Sequence, residues 1–285
     1  MSVKMATSNT TAAAASDDIA ILALFERLAL AAGRVVLDVF HSDMTVSRKD
    51  DSSPVTEADR RAEKIILEGL RDALPDIPCV AEEECSEGIV PVELGDTFLL
   101  IDPLDGTKEF VTRHADFTVN IALIRNGMPV VGAVFAPISR KLYLGRPGFA
   151  EAVDISDDFT PGGRRRIAVR EGFEPVTIVA SRSHRTPETD AYILKFRTAE
   201  IVSVGSSLKF CLIAAAEADV YPRFGPTMEW DTAAGDAVLR AAGGATEMVD
   251  GTPLVYGKRG RPDWLDFANP AFIARGRVEC PAGGV

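Results

Sequence analysis

One segment of the chain runs from purely apolar sequence straight into acid. Thr97-Phe98-Leu99-Leu100-Ile101 is followed at once by Asp102-Pro103-Leu104-Asp105-Gly106-Thr107. The first five residues have the composition and length of a buried strand. Pro103 biases Asp102 toward an extended conformation, and Gly106 permits a sharp turn. Both carboxylates can therefore face one point at the carboxyl end of the strand, where open α/β sheets commonly bind ligands. Standing alone, the heptad Ile101 to Thr107 is explained equally well by an Asp-Pro and Asp-Gly surface turn.

The same grammar recurs. Val80-Ala81 ends in Glu82-Glu83-Glu84, which alone reads as a solvated charged turn. Trp230-Asp231-Thr232-Ala233-Ala234-Gly235 puts an acid at a helix start, where Asp as N-cap contributes about 1 kcal/mol. Pro54-Val55-Thr56-Glu57-Ala58-Asp59 adds a carboxylate in a first helical turn, where the macrodipole favours it. If these acids converge, each close pair repels by roughly 4 kcal/mol at an effective dielectric near 20, so something must neutralise them. Oxygen ligands without His or Cys point to a hard cation, Mg²⁺ rather than zinc. Carboxylate-held Mg²⁺ suits phosphoryl transfer by in-line displacement. With no Gly-rich phosphate loop ending in GK[ST], a nucleotide kinase or ATPase is disfavoured.

Around this motif the pattern differs between the two halves. Ser16-Asp17-Asp18 can cap a long helix running to Phe40, with Leu22, Phe25, Leu28 and Ala29 on one face; a second helix is expected from about Thr56 to Ala73. Strands are expected at Phe117 to Ile124, Pro129 to Phe135 and Lys141 to Leu144, with Asn126-Gly127 as a hairpin turn. Helices followed by hairpin-linked strands imply a helix-covered antiparallel sheet. From Val176 onward strands (Val176 to Ala180, Glu200 to Val204, Val220-Tyr221) alternate with helices (Glu188 to Phe196, Leu208 to Ala218, Thr232 to Ala242), as in a parallel or mixed sheet. The fold class is therefore α/β, with an α+β half and an α/β half. The polar stretch near residues 150–165 reads as an exposed loop between packed halves. The expected division is a disordered tail over 1–17, an α+β half over 18–155 and an α/β half over 156–285.

Composition removes several classes of function. Of the 285 residues 46% are apolar and 26% charged, the balance of an ordinary soluble protein. The 31 Lys and Arg against 42 Asp and Glu leave a net charge of −11, which repels nucleic acid and anionic lipid. The only dense basic run, Arg164-Arg165-Arg166, is too short for a polybasic arm. Cys79, Cys85, Cys211 and Cys280 are scattered and read as reduced cytosolic thiols. The N-terminus does not read as a signal peptide, and Ile19 to Phe40 is broken by charges well short of the roughly 18 apolar residues an integral membrane segment needs.

Glu82-Glu83, Asp102-Pro103-Leu104-Asp105-Gly106-Thr107 and Trp230-Asp231-Thr232-Ala233-Ala234-Gly235 resemble, in order, the three signatures of the inositol monophosphatase superfamily of Mg²⁺-dependent, lithium-sensitive phosphatases. Asp51-Ser52-Ser53-Pro54-Val55-Thr56-Glu57-Ala58-Asp59 resembles the motif that precedes them. Within the superfamily, Gly106-Thr107-Lys108-Glu109-Phe110, Ser181-Arg182-Ser183-His184, Gly205-Ser206-Ser207-Leu208-Lys209-Phe210-Cys211 and Tyr221-Pro222-Arg223-Phe224-Gly225-Pro226-Thr227 are similar to the 3′(2′),5′-bisphosphate nucleotidase branch, the CysQ type. The resemblance implies a layered α-β-α-β-α sandwich, the inositol monophosphatase and fructose-1,6-bisphosphatase-like fold. It implies two or three Mg²⁺ ions held by Glu82, Asp102, Asp105, Asp231 and the carbonyl of Leu104, with most of these ligands in the first half. Asp59 and Thr107, with Glu82 beside them, would orient and deprotonate a water whose pKa one Mg²⁺ lowers. That water would attack the 3′-phosphorus of adenosine 3′,5′-bisphosphate while a second ion stabilises the departing oxygen, giving AMP and phosphate.

For substrate binding the resemblance implies Asp105, Gly106, Thr107, His184, Ser206, Ser207, Lys209, Arg223 and Asp231. The competing structural readings make Lys209 a solvated helix residue, Arg223 half of a surface ion pair, and Ser206 and Ser207 helix caps. Three consecutive glutamates leave the metal ligand to be chosen, and Glu82 is preferred because it follows the strand directly. The partners expected are a small bisphosphate nucleotide and no nucleic acid, for a cytoplasmic monomer or homodimer, with peripheral association to the inner membrane left open. The 3′-phosphoadenylyl sulfate of sulfate assimilation is a further candidate substrate. The rival readings are an inositol-1-phosphate phosphatase and, of another class, a non-catalytic nucleotide or metal sensor.

Overall fold

A computed structural model describes residues 3–42, 46–48, 54–172, 174–182 and 185–281. In chain order the elements are α1 (Val3–Phe40), β1 (Val46–Arg48), β2 (Pro54–Thr56), α2 (Glu57–Ala73), β3 (Cys79–Ala81), α3 (Glu82–Ser86), β4 (Thr97–Asp105), α4 (Thr107–Val111), β5 (Thr118–Arg125), β6 (Met128–Ala136), β7 (Lys141–Arg146), β8 (Phe149–Ile155) and β9 (Pro161–Arg166). Then follow β10 (Val176–Ser181), α5 (Pro187–Ile193), β11 (Ala199–Val204), α6 (Leu208–Ala214), β12 (Val220–Arg223), α7 (Glu229–Ala241), β13 (Ala245–Met248) and β14 (Phe272–Arg275).

Strands β3 to β9 form one seven-stranded sheet in sequence order, antiparallel except for the β3–β4 pair. Asn126 and Gly127, with φ of 50° and 72°, make the tight turn between β5 and β6 that their sequence predicts. A second, mixed sheet has the order β11-β10-β12-β14-β13.

Alternation along β4 shows how the layers stack. Leu99 and Ile101 pack with Phe25, Ala29, Ala62 and Ile66 of α1 and α2, whereas Phe98 and Leu100 pack with Ala233, Ala234 and Val238 of α7 on the opposite face. The second sheet repeats the arrangement: Val179, Tyr221 and Phe272 face the α6/α7 layer, and Ile178, Val220 and Ile273 face Tyr192 of α5. The order of layers is helix, sheet, helix, sheet, helix, the five-layered sandwich anticipated above.

Several elements differ from the sequence expectation. Helix α1 begins at Val3 rather than after a tail capped at Ser16 to Asp18, because the alanine run continues in the best helix-forming residue; Asp18 pairs instead with Arg125 of β5. Strand β4 continues through Asp102-Pro103-Leu104-Asp105, so the acidic motif is no surface turn. Its pairing with β5 shifts register between Asp102 and Asp105, around the proline that has no N–H for a regular ladder. The stretch expected to be a loop near 150–165 holds β8 and β9. Only the first residue of β9 is not fully exposed, so no apolar alternation marks the strand; Arg164 secures it by donating to Glu151 (2.6 Å) and pairing with Glu26 of α1. Strands β13 and β14 were not expected, α6 stops at Ala214 rather than Ala218, and α7 starts at Glu229 rather than Thr232.

Two glycines let α7 lie directly on the seven-stranded sheet. A Cβ on Gly132 would come within 2.5 Å of the Ala234 carbonyl oxygen, and one on Gly145 within 2.6 Å of Val238 Cα. Because α7 carries Asp231, this close approach sets how near that acid comes to the end of β4. Gly132→Ala is expected to lower stability by about 1–3 kcal/mol through overpacking, measured as a lower denaturant midpoint at unchanged slope.

Candidate active site

The corner where β4 becomes α4 collects the acidic motif. Asp102 is almost wholly buried, and its Oδ1 accepts the Leu104 N–H at 3.0 Å. Gly106 turns the chain at φ 94°, where a Cβ would sit 3.0 Å from the Asp116 carbonyl oxygen, so only glycine serves. Thr107 then opens α4, with its hydroxyl 3.1 Å from the Leu104 carbonyl and 3.2 Å from Asp59 Oδ1.

Asp59 is presented to Thr107 by the start of α2. Thr56 Oγ1 caps the helix by accepting the Ala58 N–H at 3.1 Å, and Asp59 Oδ2 accepts from both the Thr56 N–H and hydroxyl, each at 2.7 Å. This reciprocal capping leaves the other carboxylate oxygen turned toward Thr107.

Tertiary contacts separate the three glutamates after β3. The N–H groups of Glu83 and Glu84 donate to Glu63 of α2 at 2.8 and 2.9 Å, and Arg71 of the same helix holds the Glu84 carboxylate at 2.7 Å. Half-buried Glu82 is left facing the cleft, hydrogen-bonded to Asp102. Asp231, in the first turn of α7, accepts the Met228 N–H at 2.8 Å. Its neighbour Glu229 points elsewhere, accepting the Gly257 and Lys258 N–H groups at 2.6 and 2.9 Å and pairing with Lys258 Nζ at 2.7 Å.

The second half of the chain supplies the opposite wall. Asp105 Oδ2 accepts the Ser207 N–H at 2.5 Å and approaches Asn120 Nδ2 at 3.5 Å. Ser207 donates its hydroxyl to Asn120 Oδ1 at 2.8 Å and lies 2.9 Å from the Thr118 hydroxyl, so it braces β5 instead of capping α6; Ser206 Oγ accepts the Leu208 N–H at 3.4 Å. Lys209 is buried rather than solvated, its Nζ directed at the Val204 and Ser206 carbonyls and 5.0 Å from the Tyr221 ring centroid. Arg223 is buried too and, among the described residues, makes no ion pair: it donates to the Gly225 and Pro226 carbonyls at 3.1 and 2.5 Å. Arg182 bridges to Asp116 at 2.7 Å. Asp105, Gly106, Thr107, Ser206, Ser207, Lys209, Arg223 and Asp231 all line one cavity of about 250 Å³. His184 lies outside the described residues. Glu63, Asn120 and the Glu229–Lys258 pair escaped the sequence reading. Glu63 follows Asp59 by four positions, which puts both on one helix face, but nothing local reveals that its partners lie twenty residues on.

Electrostatics follow from this crowding. Loss of water raises Asp102 and Asp231 well above the ordinary carboxylate range; repulsion from Glu82 and Asp105, and for Asp102 also from Asp231, adds to it. Asp105 is pushed up to about 6 by loss of water, opposed by Lys209 and the Ser207 N–H, and burial also pushes Asp59 up to about 6. Burial brings Lys209 down to about 8 against the pull of Asp105. Among the described residues no three acids stand ready as a closed metal cage; each carboxylate is tied to its own hydrogen-bond donor or, for Glu82, to Asp102. The donor set of carboxylates and the Leu104 carbonyl is all oxygen, which fits a hard divalent cation.

The sequence model of the inositol monophosphatase family matches residues 18–262. The chain belongs to this family. Members of the family are generally metal-dependent. A relative from Salmonella typhimurium named 3′(2′),5′-bisphosphate nucleotidase CysQ is 43% identical over 248 residues, 86% of this chain and 96% of its own length. The protein of the same name from Escherichia coli is 42% identical over the same shares. Among solved structures, CysQ from Bacteroides thetaiotaomicron, a bacterial member of the family, superposes with a TM-score of 0.72 at 35% identity, covering 91% of this chain and 98% of that one. Among the described residues no helix is long and apolar enough to cross a membrane.

Two measurements test the site's energetics. With Asp59 raised from 3.8 to about 6 and Glu63 from 4.5 to about 8, the folded chain holds more protons than the unfolded one between those values. Stability is then greatest below the unfolded values and falls as pH rises through the folded ones. Calorimetric Tm in chelator should therefore drop from pH 5 to pH 8, the part of the Asp59 displacement that falls in this window being worth about 1.4 kcal/mol. Removing one member of the buried Glu229–Lys258 pair strands the other, so Glu229→Ala should cost about 3–5 kcal/mol in denaturant unfolding.

Proposed function

We propose that this chain is a Mg²⁺-dependent 3′(2′),5′-bisphosphate nucleotidase that hydrolyses the 3′-phosphate of adenosine 3′,5′-bisphosphate to AMP and phosphate. The observation that carries the reading is the Thr107–Asp59 hydrogen bond beside Glu82, Asp102, Asp105 and Asp231, in a chain 42–43% identical to nucleotidases along most of their length. Glu82, Asp102, Asp105, Asp231 and the Leu104 carbonyl would hold divalent cations, which would supply neutralising charge and lower the pKa of a bound water.

Every other step belongs to the chain. Thr107 has one hydroxyl proton, which ionised Asp59 draws toward itself; the threonine oxygen is then free to accept a proton from the attacking water and pass its own to Asp59. Asp59, brought to about 6 by burial, is a base matched to neutral pH. Amide groups of Gly106 and Thr107 at the start of α4 hold phosphate oxygens, while Asp105 and Asp231 fix the reacting end of the substrate. Lys209 and Arg223, across the cavity, supply positive charge for the second phosphate, with Ser206, Ser207 and His184 completing the nucleotide end. The family resemblance extends the reading to 3′-phosphoadenylyl sulfate as a second substrate and to inhibition by lithium. The enzyme acts in the cytoplasm.

Phosphate release from a panel of monoesters, with and without Mg²⁺, tests this. Adenosine 3′,5′-bisphosphate should exceed inositol 1-phosphate in kcat/KM by at least about tenfold, or about 1.4 kcal/mol at the transition state. A preference for the inositol ester would overturn the substrate assignment, and turnover undiminished in chelator would overturn the metal dependence. Thr107→Val should lower kcat by about 10²–10⁴ with little change in substrate binding, and Asp102→Asn should abolish turnover in a folded chain.

A further inference from the structure

Glu63 has no part in the chemistry above, yet it is a buried carboxylate in contact with the element that carries Glu82. It stands one helical turn after Asp59, so both leave the same face of α2. Its two oxygens accept the N–H groups of Glu83 and Glu84, at 2.8 and 2.9 Å. These are first-turn amides of α3, which no carbonyl within that helix can satisfy, and they follow Glu82 directly along the backbone.

Arg71, two turns further along α2, clamps the Glu84 side chain with both Nη2 contacts at 2.7 and 2.9 Å. Four hydrogen bonds to two residues of one helix therefore fix the start of α3. That leaves Glu82 little freedom other than to face Asp102, its hydrogen-bond partner. A carboxylate placed only for stability would be a costly choice here, since burying it removes its hydration for the sake of a five-residue helix. The arrangement instead makes α2 a common ruler for the base Asp59 and the ligand Glu82.

We propose that Glu63 is a positioning residue that aims Glu82 for cation binding, an inference that rests on the functional reading above. Residues that orient metal ligands typically account for about 10–100-fold in metal affinity. The test is calorimetric titration of Mg²⁺ into the full chain and its variants at pH 8.5, alongside phosphate release as a function of Mg²⁺. Glu63→Met removes both acceptors at similar volume, and Glu63→Gln retains one. Leu67→Ala, on the same buried face of α2 but without contact to the Glu83 and Glu84 amides in the bonds above, controls for general destabilisation.

Expected is a Mg²⁺ Kd raised about 10–100-fold in Glu63→Met and less in Glu63→Gln, with kcat recovered and nucleotide KM unchanged at saturating Mg²⁺. Leu67→Ala should lower Tm and leave the Mg²⁺ Kd alone. Should Glu63→Met fail to fold, Glu63→Gln decides. Mg²⁺ affinity equal to that of the unaltered chain in the folded variants, or an equal loss in Leu67→Ala, would overturn the positioning role alone. Absence of Mg²⁺ uptake by the unaltered chain would overturn the functional reading and this role with it.

Discussion

Carboxylates that share one cleft push each other apart, and the structure is arranged to withstand that repulsion. Asp59, Asp102, Asp105 and Asp231 each accept a backbone N–H, from Thr56, Leu104, Ser207 and Met228 respectively. Those amides belong to places where the chain changes direction: the entry to α2, the irregular end of β4, the entry to α6 and the entry to α7. Such N–H groups lack partners within their own elements, so an acid placed there satisfies a donor while it is itself held in place. The cleft is thus assembled from the otherwise unsatisfied ends of four elements.

That solution depends on the layering. Helix α7 comes from late in the chain but lies on the sheet formed by β3 to β9, admitted by the bare backbone at Gly132 and Gly145. The neighbouring α6 brings Lys209 toward Asp105 from the same layer. Proximity between residues more than a hundred positions apart, as between Asp105 and Ser207, follows from a helix layer shared by two sheets.

Sequence made the local parts of this plain. The apolar run into Asp102, the Asn126-Gly127 turn and the start of α2 near Thr56 with Asp59 in its first turn are all set by neighbours within a few residues, and all appear as expected. What could not be read locally depends on distant partners. Nothing near Glu82-Glu83-Glu84 says which glutamate faces inward; Glu63 and Arg71 decide it from α2. Asp231 resembles an N-cap, but the Phe267 carbonyl accepts the Glu229 N–H and the helix starts two residues before Asp231. Lys209 and Arg223 look solvated by residue type, and only tertiary burial shows them turned onto backbone carbonyls. Strand β9 carries no apolar alternation because its residues after Pro161 are exposed.

That exposed strand closes one side of the seven-stranded sheet, and an open side invites a foreign strand to pair with it. Three consecutive arginines on β9 oppose such pairing, since a second copy arriving edge-on would set guanidinium against guanidinium. The opposite side ends in β3, only three residues long and too short to template an added strand. The short basic run in an otherwise acidic protein thus leaves this edge charged where a bare ladder of backbone groups would otherwise be on offer.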